Sequence, residues 1–158
     1  MNLTDALQSD LIRLPLHSAT KVAVIKELLG LLAEKRSVHN VDEILESVLE
    51  REKIMTTGVG NGVAIPHCKT DHIGDFMITL GIHPQGVDFQ SLDNQPAKII
   101  FLLIGPESKP GTHIRLLSRI SRIIAKEDVR ENILSCQSSD EIYEYLHEQE
   151  TQFFEMNP

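Results

Sequence analysis

Apolar residues recur at steps of three and four from Val22 through Ile25, Leu29 and Leu32, the spacing that places side chains on one face of a helix. Ser18 is placed to cap this first helix, which fades near Arg36. Asn40 followed by Glu43 reads as a capping pair for a second helix, carrying Ile44, Leu45, Val48 and Leu49 and ending near Lys53. The pattern then changes period. Val63 to Pro66 reads as a short strand, and Phe76, Ile78, Leu80 and Ile82 alternate with less apolar residues as a half-buried strand does.

Lys98 to Ile104, KIIFLLI, does not alternate. A continuous β-branched and apolar run of this length predicts a central strand covered on both faces, which requires helices on both sides of the sheet. Beyond the loop Gly105 to Gly111, a third helix is expected from Thr112 with Leu116, Leu117, Ile120, Ile123 and Ile124 inward. Asp128 with Glu131 and Ser138 with Glu141 open a short helix through Ile133 and a last one through Ile142, Tyr145 and Leu146. The fold class is α/β, and with 158 residues, no internal repeat and no linker, residues 1–158 are expected to form a single domain.

Composition narrows the partners. Hydrophobic residues make up 41% of the chain and charged residues 24%, as in globular proteins. A formal charge of -8 would repel a phosphate backbone and an anionic bilayer surface, so no nucleic acid and no membrane insertion are expected. The N-terminus lacks a signal pattern and no apolar run can span a bilayer, which points to a cytoplasmic protein. Cys68 and Cys136 match no disulfide or metal spacing and are expected as reduced thiols.

The chemistry gathers around TTGVGNGVAIPHCK, Thr56 to Lys69. A phosphate-loop reading would need glycine and lysine where Val63 and Ala64 stand, and a dinucleotide fingerprint would need glycine at Val63. Both motifs also run from strand into helix, whereas this stretch runs from helix into strand. The bare backbone at Gly58, Gly60 and Gly62 can aim several N–H groups into an anion-binding concavity, with Thr56 and Thr57 adding hydroxyls. Taken alone, without the histidine, the same glycines read as a tight helix-to-strand connection.

His67 follows Pro66, which fixes the backbone and withholds an N–H from the sheet. Neutral imidazole, with a reference pKa of about 6.5, is a nucleophile that can take a phosphoryl group; an ordinary half-buried histidine is the other reading. A Cys68–His67 pair is disfavoured because neighbouring strand residues point to opposite faces. Metal binding by His67 with His72, His83 or His113 has no recognised spacing.

His113 lies in the first turn of the third helix, on the face of Leu116 and Leu117. The positive end of the helix disfavours imidazolium and favours an anion nearby, so His113 reads either as a hydrogen-bond donor to phosphate or as a core histidine. Arg51 falls on the apolar stripe of the second helix, where a guanidinium fork needs a phosphate, a carboxylate such as Glu52, or an exit to solvent.

REKIMTTGVGNGVAIPH, Arg51 to His67, resembles the signature of the enzyme IIA domains of the bacterial phosphoenolpyruvate-dependent sugar phosphotransferase system, fructose and mannitol type. FQSLDNQPAKIIFLLIGPE and THIRLLSRISRII resemble that family's later strand and helix, so the likeness covers most of the chain. The resemblance implies a mixed sheet flanked by helices on both faces and a phosphotransferase component working through phosphohistidine. It implies that His67 is phosphorylated by HPr or an HPr-like phosphocarrier, that Arg51 and His113 assist, and that no cofactor is used. The loop N–H groups around Thr57, Gly58, Gly60 and Gly62 would then help to hold the phosphate. An enzyme IIB or a regulated target protein would be the next partner. The bare domain favours the nitrogen-regulatory branch over sugar transport, and a binding module switched by phosphate without onward transfer is the alternative of another class. GPESKPGTH carries a Pro-Gly ahead of His113 that departs from the family pattern.

Overall fold

The computed structural model of the protein describes residues 1–155. Its elements in chain order are α1 (Leu3–Ala6), a 3-10 turn (Ser9–Leu11), β1 (Ile12–Arg13), α2 (Lys21–Arg36), α3 (Val41–Ile54), β2 (Gly58–Gly60), β3 (Val63–Ala64), β4 (His67–Thr70), β5 (Met77–Val87), β6 (Ala97–Pro106), α4 (Pro110–Ile124), α5 (Glu127–Ser135), α6 (Ser139–Glu150) and a closing π-helical turn (Thr151–Glu155). The six strands form one mixed sheet in the order β1-β5-β6-β3-β2, with β4 also pairing with β6.

β6 is the central strand expected of KIIFLLI. It is buried at every position from Ile99 to Pro106, because helices cover both faces: α2 lies against β5 and β6 and carries α3, while α4, α6 and α1 pack together on the other side. β3 and β4 are two parallel partners of β6 in succession, Val63 opposite Ile99 and His67 opposite Leu103. Pro66 separates them, so His67 does not leave a strand but begins one. Along β4 the burial alternates, with His67 half-buried, Cys68 buried, Lys69 exposed and Thr70 buried, as a strand edge under a helix requires.

β5 departs from its sequence reading. Thr79 and Gly81, the less apolar positions, are as buried as Ile78, Leu80 and Ile82. Gly81 is needed there because a Cβ would lie 2.5 Å from Leu16 Cδ1. The N-terminal segment that supplies Leu16 also supplies β1, parallel to β5, and the fully buried Leu3 and Leu7. This segment was not legible as structure because its elements are too short to show a period.

Helix starts also shift. Thr20, not Ser18, caps α2 by accepting from Ala23 N–H at 3.3 Å, and Val22 faces solvent while Val24, Leu28 and Leu31 join the buried face. Asn40 precedes α3 in the left-handed region (φ 59°) and makes no side-chain cap bond. Ser138 caps α6 as expected, accepting from Glu141 N–H at 3.2 Å. α4 begins at Pro110, with proline in the first helical turn where its missing N–H costs nothing. The unusual Pro-Gly therefore lengthens the helix at its start and leaves His113 in the first turn.

Candidate functional site

A cleft of about 540 Å³ opens between the last turns of α3, the strand β4 and the first turns of α4. Ser47, Glu50, Arg51 and Ile54 line it from α3, His67 and Lys69 from β4, and His113, Ile114 and Leu117 from α4. Arg51, His67 and His113, far apart in sequence, thus share one wall of the molecule.

The tautomer of His67 is set by its own backbone. Nδ1 lies 2.7 Å from the carbonyl oxygen of Ile65, two residues earlier across Pro66. A carbonyl can only accept, so Nδ1 carries the proton and Nε2 keeps its lone pair. Burial holds the His67 pKa below its ordinary value of 6.5; Arg51 and Lys69 push in the same direction, while the Ile65 carbonyl and Glu52 oppose them. The ring is therefore neutral at pH 7, with one nucleophilic nitrogen.

The His113 ring centroid lies 5.7 Å from that of His67, tilted by 57°, and 6.1 Å from the ring of Phe76. His113 is 2% exposed. Among the described residues neither of its ring nitrogens has a hydrogen-bond partner. Buried polar atoms are almost always paired, so this is a donor and an acceptor held in reserve. Burial, with His67 and Lys69 adding to it, pushes the His113 pKa down to about 4. Its seat depends on Gly105: a Cβ at that position would lie 2.8 Å from His113 Nδ1 and 2.4 Å from Phe76 Cε1.

Arg51 donates from Nη1 to the Met55 carbonyl at 3.0 Å. Among the described residues no carboxylate lies within ion-pair distance of it, and the Glu52 partner considered from sequence is taken by Lys21. The remaining N–H groups of its fork are available to an anion. Lys69, two residues along β4 from His67 and so on the same face, adds a second cation to the cleft.

The glycine loop stands elsewhere. None of Thr57, Gly58, Gly60 and Gly62, expected as a phosphate cradle, is among the residues lining the cleft. Gly58 to Gly60 is strand β2, and Gly60 (φ 94°), Asn61 and Gly62 (φ 79°) turn the hairpin into β3. An anion already sits there: Asp93 accepts from Asn61 N–H at 2.8 Å. Gly58 allows close approach, since a Cβ would lie 2.3 Å from Ser91 Oγ. The Thr57 hydroxyl and N–H both donate to Glu52.

Cys68 is buried with its thiol pushed up to about 12 by desolvation, which leaves no thiolate at neutral pH. His83 is held structurally, bonded to the Ser18 carbonyl at 2.9 Å and to Gly86 N–H at 3.0 Å. No three His, Cys, Asp or Glu side chains among the described residues converge as a metal site would need. Lys69 and Gly105 were not singled out from sequence: Lys69 needed β4 to be read as a strand, and Gly105 had as its signal a glycine at the end of an apolar strand, which marks close approach. Glu52 carried no local signal.

Similarity to known proteins agrees with this geometry. Residues 5–149 match the family described as "Phosphoenolpyruvate-dependent sugar phosphotransferase system, EIIA 2". The fructose-specific EIIA component of Haloferax volcanii is 37% identical over 139 residues, covering 88% of this chain and 90% of that protein. The fructose-specific EIIABC component of Bacillus subtilis is 34% identical over 148 residues, 94% of this chain, which spans only 23% of that longer protein. The crystal structure of nitrogen regulatory protein IIA-Ntr from Neisseria meningitidis superposes with a TM-score of 0.85 at 27% identity, covering 91% of this chain and 98% of that one. The chain belongs to the EIIA 2 family of the phosphoenolpyruvate-dependent sugar phosphotransferase system.

Proposed function

We propose that the protein is a phosphoryl carrier that accepts the group on Nε2 of His67 from phosphohistidine on HPr or an HPr-like protein. The observation that carries this reading is the pairing of Nδ1 with the Ile65 carbonyl, which leaves a single free lone pair in a cleft furnished with uncommitted donors. In the transfer, the Nε2 lone pair forms the new P–N bond as the donor's P–N bond breaks and its electron pair returns to the donor imidazole. The Ile65 carbonyl holds the Nδ1 proton throughout and stabilises the positive charge that the ring gains. Arg51 and His113 donate to the oxygens of the phosphoryl group as it passes between nitrogens, and Lys69 contributes charge from the rim.

Donor and acceptor must meet face to face, and the cleft mouth suits this. Ile54 (80% exposed) and Ile114 (64%) line it with exposed apolar side chains, and Met55 (63%) follows Ile54 in the chain. The chain acts as one EIIA domain over residues 1–158, in the cytoplasm where phosphoenolpyruvate is made. No helix among the described residues is long and apolar enough to cross a membrane.

Incubation with phosphoenolpyruvate, enzyme I and HPr is expected to label the protein with acid-labile phosphate, and nitrogen NMR to place it on Nε2. His67→Ala is expected to take up none. An unlabelled wild type, or equal labelling of His67→Ala, overturns the reading. The named relatives divide between fructose transport and nitrogen regulation, and the phosphorylated protein separates the two branches. Loss of label to an added fructose-type enzyme IIB marks a transport component. Retention of label, with a target protein bound in one phosphorylation state only, marks a regulator.

A further inference from the structure

Beside the cleft lies a buried carboxylate that the phosphoryl chemistry does not use. Glu52 follows Arg51 in the last turn of α3 and is 9% exposed. Its carboxylate receives Lys21 Nζ at 2.6 Å, Thr57 N–H at 3.2 Å and the Thr57 hydroxyl. Lys21, the first residue of α2, also lies 5.5 Å over the ring of Phe89 and donates to Gln90 at 3.4 Å. Thr56 donates to the Phe89 carbonyl, so the segment after α3 is pinned to the same place. The start of α2 and the lead into β2 thus meet on the Glu52 side chain, and the connection from β5 to β6 is tied to both through Lys21 and Thr56.

A buried ion pair is a poor source of stability, because desolvation cancels most of its attraction, and what it can supply is a defined geometry. The geometry supplied here is that of a helix end. Terminal turns fray unless something outside the helix holds them. Successive helical residues point about 100° apart, so a grip on Glu52 fixes the direction in which Arg51 leaves the same turn. Among the described residues the side-chain tether of Arg51 is the Met55 carbonyl, which lies beyond the helix. We infer that Glu52 is a positioning residue for phosphoryl transfer: clamped by Lys21 and Thr57, it locks the last turn of α3 so that Arg51 faces His67.

The inference rests on His67 as the acceptor, and its test separates the two. Rates of phosphate uptake from phosphorylated HPr are measured for wild type, Glu52→Gln, Arg51→Met and the double variant, with thermal unfolding followed alongside. Glu52→Gln is expected to slow uptake about tenfold or more when Arg51 is present, through misplacement of the fork. In the Arg51→Met background the same change is expected to cost less than about twofold, since there is then nothing left to position. Lys21→Met, which leaves the Thr57 bonds in place, is expected to slow uptake with the same dependence on Arg51. Equal losses in both backgrounds, no loss in either, or unfolding of both Glu52→Gln and Lys21→Met overturn the positioning role while leaving His67 as the acceptor. An unlabelled wild type overturns both.

Discussion

His113 shows how little of a side chain's role is visible without its neighbours. Its place in the first turn of a helix was legible from spacing, but that spacing fitted a core histidine as well as a phosphate donor. Among the described residues no hydrogen-bond partner reaches either ring nitrogen, which supports the phosphate-donor reading over a core histidine bonded to a carbonyl. Gly105 keeps it so. Gly105→Ala is expected to drive the new methyl into Phe76 and His113, costing about 1–3 kcal/mol of stability and slowing phosphate uptake about tenfold or more through the displaced imidazole. Urea unfolding and uptake rates check the two effects, and unchanged uptake would show that the tight seat of His113 is irrelevant to transfer.

At the scale of elements, most helices and the central strand follow from local patterns, and the errors have local causes too. Asn40 with Glu43 has the composition of a capping pair, yet Asn40 serves through its backbone, in a left-handed conformation that asparagine tolerates better than most residues. Asn40→Gly is therefore expected to be neutral or to raise stability by a few tenths of a kcal/mol, and Asn40→Ala to lower it by about 1 kcal/mol. A thermal melt in which both variants lose about the same stability would mean that a side-chain cap was at work after all. β4 was hidden for a different reason: it is four residues long, begins right after a proline, and owes its strand character to pairing with β6.

For the whole molecule, the buried histidines couple stability to pH. The unfolded chain binds a proton at each histidine near pH 6.5, whereas folded His113 resists protonation until about pH 4 and folded His67 is displaced the same way. Between these values the unfolded state holds more protons, so stability is fully present above pH 6.5 and falls as pH drops toward 4. His113 alone accounts for roughly 3 kcal/mol of that fall. Urea titrations at pH 7, 5.5 and 4.5 are expected to show the slope in wild type and a reduced slope in His113→Gln; identical slopes would mean that His113 protonates as freely folded as unfolded. Function at neutral pH draws on the same burial, since both rings are neutral when phosphate arrives.

Periodicity, capping residues and the uninterrupted run of β6 are properties of neighbouring residues, so the sequence alone determined the α/β class, the longer helices and the covered central strand. The stretch from Arg51 to His67 likewise marked the histidine proposed as the acceptor, because a Pro-His step and its signature are contiguous. Which residues surround that histidine is not a local matter. β4 lies beside β6 only through the crossover of the sheet, and that register brings the α4 histidine and the α3 arginine to the same cleft. The same packing sends the glycine hairpin away toward Asp93 and gives Thr57 to Glu52. Tertiary structure alone decided these assignments, because convergence in space depends on the order of strands and the path of the backbone rather than on distance along the chain.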